Sequence, residues 1–332
     1  MSGSDGARPV TALDAEQTLH LLDHLTWCHD HQDASDPWPA AARHISERLT
    51  DRPPPAPDAC RTAAERFGAT GTATGDRDTA ALYRAKYDLM VRLHPAEWLT
   101  FMNMGYTDEG ERRVGAGDPA TGLGSAPARL YELVARQSGL AGTDVLDLGS
   151  GRGGGTALLA REPGVRSVVG VDFSHAGVAF SRRVHPGRLR FVCADAALLP
   201  FPDGSFDRVV SVESAHCFAG PARCFAEVRR VLRPGGRLVL ADEWPAGRVA
   251  DLTALLAQAG LRVTDLADIT AGVLRSLDRL PSEVARWLAG RSDSAHTRAY
   301  ERFFRDRIGG DSAGLYRSGR YAYVRVTAVR DR

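Results

Sequence analysis

Across residues 144–244, short apolar runs alternate with stretches of helical periodicity, and this alternation restricts the chain more than any other feature. Strands are predicted at 145–148, 167–172, 189–193, 206–212 and 237–241. Helices are predicted from 153 onward, at 176–184 and at 221–232. Strands separated by helices cannot close as hairpins. They pair in parallel through right-handed crossovers, which predicts a doubly wound α/β sheet. A helix at 249–260, a strand at 261–266 and a last alternating strand at 321–329 extend it to a mostly parallel, seven-stranded, Rossmann-like sheet. The helical stretch between those two strands reads as a lid insertion over about residues 271–318, and the sheet-bearing domain as 144–332.

The regions before the sheet are organised differently. Residues 1–78 read as a helical appendage, with a stiff Pro-rich run at 52–57 and a Gly-rich joint at 68–78. Residues 79–143 read as cap helices, with Tyr83, Tyr87, Trp98 and Phe101 as candidate acceptor-binding aromatics or, equally, core. A net charge of +1 gives no footprint for nucleic acid or an anionic membrane. No apolar run reaches the roughly 20 residues of a membrane span, and the opening MSGSDGARP lacks a signal-peptide core. The five cysteines (Cys28, Cys60, Cys193, Cys217, Cys224) form no C-x-x-C pair. Together these features predict a cytoplasmic chain with reduced thiols. His20 and His24, with Cys28, His29 and His31 close behind, have a spacing that can chelate zinc. A solvated polar helix face explains them as well, and no metal is expected.

The chemistry is concentrated after the first strand, in Asp147-Leu148-Gly149-Ser150-Gly151-Arg152-Gly153. Glycines that leave a buried strand and enter a helix allow a tight turn and close approach of a ligand to backbone N–H groups. Gly149, Gly151 and Gly154 also satisfy G-x-G-x-x-G with Asp172 downstream, so a NAD(P)-dependent oxidoreductase is a rival reading. Asp172 closes the second strand, where a carboxylate can take both hydroxyls of a ribose. Asp195 closes the third, where an acid can accept an adenine amino group. The runs Leu199-Pro200-Phe201-Pro202-Asp203-Gly204 and Leu232-Arg233-Pro234-Gly235-Gly236 then lead into the fourth and fifth strands.

In this order, these motifs resemble the class I S-adenosylmethionine-dependent methyltransferases over roughly residues 83–244. The segments around Glu213-Ser214-Ala215-His216-Cys217 and Ala241-Asp242-Glu243 are similar to bacterial natural-product O-methyltransferases for sugars and polyketides, with phthiotriol-type lipid enzymes among the relatives. The resemblance implies S-adenosyl-L-methionine as cofactor. It implies that Gly149 and Gly151 lie against the methionine and ribose, Asp172 on the ribose with Phe173 beside it, and Asp195 and Ala196 on the adenine. Glu213 or Ser214 would line the sulfonium, and Tyr106, in Phe101-Met102-Asn103-Met104-Gly105-Tyr106, would cover the carboxylate. His216 takes the general-base position, with Asp242 orienting base or acceptor. Two departures stand out: Arg152 puts a long cation inside the loop, and Cys217 replaces a second histidine found in some relatives.

His216 has a physical case of its own. An alcohol attacking a sulfonium methyl must lose its proton, and imidazole titrates near working pH. It also follows a parallel strand's C-terminal end, the edge at which open α/β sheets bind ligands. A hydroxyl on a small, partly apolar natural product is therefore the expected acceptor, whether free or carrier-bound, and a homodimer stays open. The fold fixes the donor rather than the acceptor, so N- or C-methylation and a non-methylating cyclase remain alternatives.

Overall fold

The alternation folds into one seven-stranded sheet in a computed structural model. The structure describes residues 83–110 (apart from 85, 89, 93 and 95), 125–288 (apart from 188) and 312–332. The expected N-terminal appendage and its His/Cys cluster therefore lie outside the described residues. The strands are β1 Asp144–Leu148, β2 Ser167–Asp172, β3 Arg190–Cys193, β4 Phe206–Val212, β5 Leu232–Pro245, β6 Leu261–Asp268 and β7 Tyr321–Arg330. Their spatial order is β3-β2-β1-β4-β5-β7-β6. β1 to β5 pair in parallel, whereas β7 runs antiparallel between β5 and β6. The chain divides into two compact units, Met1–Leu93 and His94–Arg332, and the sheet belongs to the second.

Strand alternation sorts the apolar side chains into two cores. Val145, Val210, Val239 and Tyr323 point to one face and Leu146, Val209, Leu240 and Val324 to the other. The first face is covered by α1 (Ala126–Ser138), α2 (Gly154–Leu159), α6 (Thr270–Leu288) and α7 (Ser312–Arg317), through residues such as Tyr131, Leu159, Val273 and Tyr316. α4 (Pro221–Val231) and α5 (Val249–Gln258) cover the second through Phe225, Val228, Leu252 and Leu256. α3 (His175–Val184) lies beside β2 and β3. Each of these fully buried side chains contributes roughly 1.5–3 kcal/mol.

Local chemistry sets the element ends. α1 begins at Ser125, whose hydroxyl accepts from Ala128 N, and stops at Gly139 in the left-handed conformation. β5 begins five residues earlier than the sequence pattern predicts, at Leu232 instead of Arg237. Leu232 already pairs with Phe206, and the Pro-Gly-Gly run is taken up by a register shift before Arg208 meets Arg237. Among the described residues no helix is long and apolar enough to cross a membrane.

Candidate active site

The strand order reverses between β1 and β4, and the crevice beyond their C-terminal ends is where open α/β sheets take ligands. The loop after β1 is a row of left-handed glycines, with φ of 80° at Gly149, 53° at Gly151 and 83° at Gly153. Gly149 N and Ser150 N both donate to Val171 O on β2, at 2.8 and 2.9 Å. A Cβ on Gly149 would lie 2.2 Å from Ser214 Cβ, so glycine is required there for space as well as conformation. Asp147 is fully buried beneath the loop and accepts from Thr156 Oγ1 at 2.6 Å. Burial is the main cause that pushes its carboxyl up to about 7.

Asp172 accepts from Gly151 N and Ser174 N, both at 2.8 Å, which fastens the glycine loop to the end of β2. Phe173, partly exposed, follows it. Asp195 lies just past β3 with Ala196, both partly exposed; its Oδ1 accepts from Ala197 N at 2.8 Å. Ser214 does not stand apart as a ligand group. Its hydroxyl donates to Leu148 O at 2.9 Å and bonds to Ser211 Oγ at 2.7 Å, joining the ends of β1 and β4.

The turn after β4 carries the titrating groups. His216 sits in a 3₁₀ turn, Ala215–Cys217, and its Nδ1 is 2.6 Å from Asp242 Oδ1 on β5. Asp242 is fully buried. Its Oδ2 accepts from the backbone N–H groups of Ser214, Ala215 and His216 at 3.0, 2.6 and 3.3 Å, and Oδ1 also accepts from Glu243 N at 2.8 Å. Burial opposes a charge on the imidazole, but the adjacent Cys217 sulfur and the Asp242 carboxylate outweigh it and hold the pKa well above 6.5. The imidazole is thus oriented by the Asp242 carboxylate in a contact that favours its protonated form.

Glu213, directly after β4, has a positive φ of 49°, the sole non-glycine residue so placed among those described. Its Oε1 accepts from Met104 N at 2.6 Å and from Tyr323 Oη at 2.9 Å. Glu243 accepts from Tyr316 Oη at 2.5 Å. Burial first, then these carboxylates, push both phenols well above 10.0, so both tyrosines remain hydrogen-bond donors. Residues 101–107 form a strap across this edge. Ser276 Oγ donates to Met104 O at 2.8 Å, Thr107 N donates to Gly272 O at 3.1 Å, and the Tyr106 ring lies so close to Gly272 that a Cβ there would be 2.1 Å from it.

Of the four expected acceptor aromatics, Phe101 is buried against the Tyr131 ring, with centroids 5.9 Å apart, and Trp98 is partly exposed. Tyr83 and Tyr87 belong to the first unit, where Tyr83 is 1% exposed and Lys86 Nζ lies 5.7 Å from the Tyr87 ring. Arg152 does not extend into solvent. Its guanidinium stacks 3.7 Å from the Phe180 ring centroid and donates to Ala96 O at 2.8 Å, while burial lowers its pKa to about 9. The Glu213–Tyr323 and Glu243–Tyr316 ties carry no sequence signal, because they join residues 110 and 73 positions apart.

The glycine-rich turn after β1, the carboxylate of Asp172 at the end of β2, that of Asp195 just past β3, and the strap lie along one edge of the sheet, an arrangement that fits an adenosyl group. Two buried polar atoms support the fit: Ser150 Oγ in the loop and Asn103 Nδ2 on the strap have no hydrogen-bond partner among the described residues. Donors of that kind suit the carboxylate of an amino-acid moiety.

A family model described as a methyltransferase domain matches residues 146–240. The chain is 38% identical over 207 residues to the probable phthiotriol/phenolphthiotriol dimycocerosates methyltransferase 2 of Mycobacterium ulcerans (strain Agy99), covering 59% of this chain and 76% of that protein. It is 34% identical over 193 residues to the fatty-acid O-methyltransferase of Mycolicibacterium smegmatis (strain ATCC 700084 / mc(2)155), covering 57% and 70%. The geranyl diphosphate C-methyltransferase of Streptomyces coelicolor A3(2), solved with S-adenosyl-L-homocysteine, shares the fold at a TM-score of 0.53 and 20% identity, over 74% of this chain and 98% of that one. The chain belongs to the class I S-adenosylmethionine-dependent methyltransferases. S-adenosyl-L-methionine is its cofactor.

Proposed function

We propose that this methyltransferase acts on a hydroxyl of a small, partly apolar natural-product-like acceptor, with His216 as the general base. The observation that carries this reading is the 2.6 Å contact between His216 Nδ1 and Asp242 Oδ1 at the ligand-binding edge of the sheet. With Nδ1–H given to Asp242, the neutral imidazole keeps its lone pair on Nε2, the nitrogen left to take a proton. Asp242 is itself fixed by backbone N–H groups of the turn it braces, so the ring is aimed by the sheet rather than by a mobile side chain. The names of the relatives, for phthiotriol dimycocerosates and for fatty-acid O-methylation, support an oxygen acceptor on an apolar body.

When bound, the cofactor supplies a methyl made electrophilic by its sulfonium. The chain's own residues align the partners and remove a proton. Gly149 and Gly151 bring backbone against the cofactor, Asp172 and Phe173 take its ribose, and Asp195 and Ala196 take its adenine. Glu213 or Ser214 lines the sulfonium side, Tyr106 closes the strap over the amino-acid end, and Trp98 and Phe101 border the acceptor. Because the Cys217 sulfur and the Asp242 carboxylate favour the protonated ring, the base form gains population as pH rises. Turnover should therefore rise with pH through an ionisation above 6.5.

The test is His216→Ala, assayed with labelled cofactor against lipid polyols, phenols and fatty acids. Turnover should fall by about 10²–10⁴, and the alkaline rise should disappear, while S-adenosylhomocysteine affinity stays unchanged. A variant that keeps more than about a tenth of wild-type turnover places the base elsewhere. Lost homocysteine-product affinity would instead put His216 in the donor site.

A further inference from the structure

The loop from Asp195 to Gly204 has no regular structure; Leu199 and Phe201 pack against the core, whereas Leu198 is 76% exposed. The loop backbone is held from α4. Glu227 Oε2 accepts from Leu199 N at 2.9 Å. Arg230 donates to Leu199 O at 2.9 Å, Phe201 O at 2.7 Å and Asp203 Oδ1 at 2.9 Å. The same guanidinium meets Glu227 through two bonds, at 2.7 and 2.8 Å. Arg230 O closes the far end by accepting from Gly204 N at 3.0 Å.

All five N–H donors of a guanidinium are thereby engaged, a set that no other side chain can supply. The ion pair is partly exposed, with side-chain accessibilities of 29% for Arg230 and 18% for Glu227, so as a surface bridge alone it would contribute little to stability. Its geometry is instead spent on backbone atoms of one loop. That loop also fixes Asp195, whose Oδ1 accepts from Ala197 N and whose carbonyl accepts from Leu198 N, directly before the gripped Leu199.

We infer that Glu227 and Arg230 are positioning residues for donor recognition, a clamp on α4 that keeps Asp195 aimed at the adenine. The inference rests on the reading of Asp195 as the adenine acceptor. The clamp confers base selectivity: with the loop gripped, Asp195 favours a 6-amino purine, and with the loop released it no longer distinguishes an amino from a carbonyl group.

The experiment measures binding of three ligands to the full chain by calorimetry: S-adenosylhomocysteine, S-inosylhomocysteine and S-ribosylhomocysteine. Wild type should prefer the adenosyl over the inosyl compound. Arg230→Lys, which keeps charge but not the five-donor fork, should lose about tenfold of that preference, the worth of one hydrogen bond, with S-ribosylhomocysteine affinity unchanged. A folded Arg230→Lys that keeps the preference, or that weakens all three ligands alike, overturns the clamp. Glu227→Gln replaces it if Arg230→Lys fails to fold, with the same outcomes applied. Asp195→Ala is measured alongside. Preference kept in that variant overturns the adenine reading itself, whereas preference lost there but kept in Arg230→Lys overturns the clamp alone.

Discussion

Asp172 and Asp242 share a design: each is a strand carboxylate, Asp172 at the end of β2 and Asp242 within β5, that holds the backbone of the loop after the neighbouring strand. Asp172 on β2 grips Gly151 N beyond β1, and Asp242 on β5 grips the turn beyond β4. Truncating either removes a brace as well as the group proposed to act at the site. Asp172→Ala should weaken S-adenosylhomocysteine binding by about 1.5–3 kcal/mol and also lower the melting temperature, because Gly151 N–H loses its partner. Calorimetry and thermal melts separate the two effects. A melting drop without an affinity loss would leave Asp172 as a brace and remove it from the ribose.

At the scale of elements, the β1 loop meets the β4 turn with no room for a side chain at Gly149. Gly149→Ala must adopt a φ of 80° and would put its methyl 2.2 Å from Ser214 Cβ. It should cost more than the roughly 1–2 kcal/mol of a left-handed alanine and abolish cofactor binding. Adding Ser214→Gly should restore part of the stability by relieving the clash but not the backbone strain. Melts of the single and double variants check this, and no recovery in the double variant would mean that Ser214 is not the obstacle. The strands and the glycine turn were legible in the sequence because each is a local pattern: apolar runs of period two or continuous, and glycines at a strand end. The long β5 was only partly legible, since its early Leu232–Phe206 pairing depends on a bulge that Pro234 and Gly235 accommodate rather than announce. His216 and Asp242 could each be nominated, but their contact depends on the parallel register that sets Val212 beside Ala241. The ties from Glu213 to Met104 and Tyr323 were not legible at all, because an isolated Glu after a strand gives no local sign of its partners.

For the whole molecule, the proposed role of His216 as base would link stability to activity through one titration with opposite signs. The His216 pKa is raised in the folded state, so the His216–Asp242 pair stabilises fully below the ordinary value of 6.5, and that contribution is lost as pH rises through the folded value. Asp147, raised to about 7 by burial, loses its contribution between 3.8 and that point, largely below this window. Urea unfolding from about pH 6 to about pH 10 should show wild type losing stability relative to His216→Ala, while wild-type turnover climbs. Equal pH slopes in the two proteins would dissociate His216 from that titration. The antiparallel β7 has a separate consequence. Because β7 runs against its neighbours, Asp268 at the end of β6 and Tyr321 at the start of β7 both lie at the cofactor's edge of the sheet. The intervening chain leaves and returns on that same rim, and its two flanks are packed into the first core through Ile269, Val273, Leu277 and Tyr316, so length is most cheaply added between those flanks, where lengthening a loop costs only about 0.6 kcal/mol per doubling. An insertion there would leave the register of all seven strands as it is, because it enters and exits the sheet at one rim.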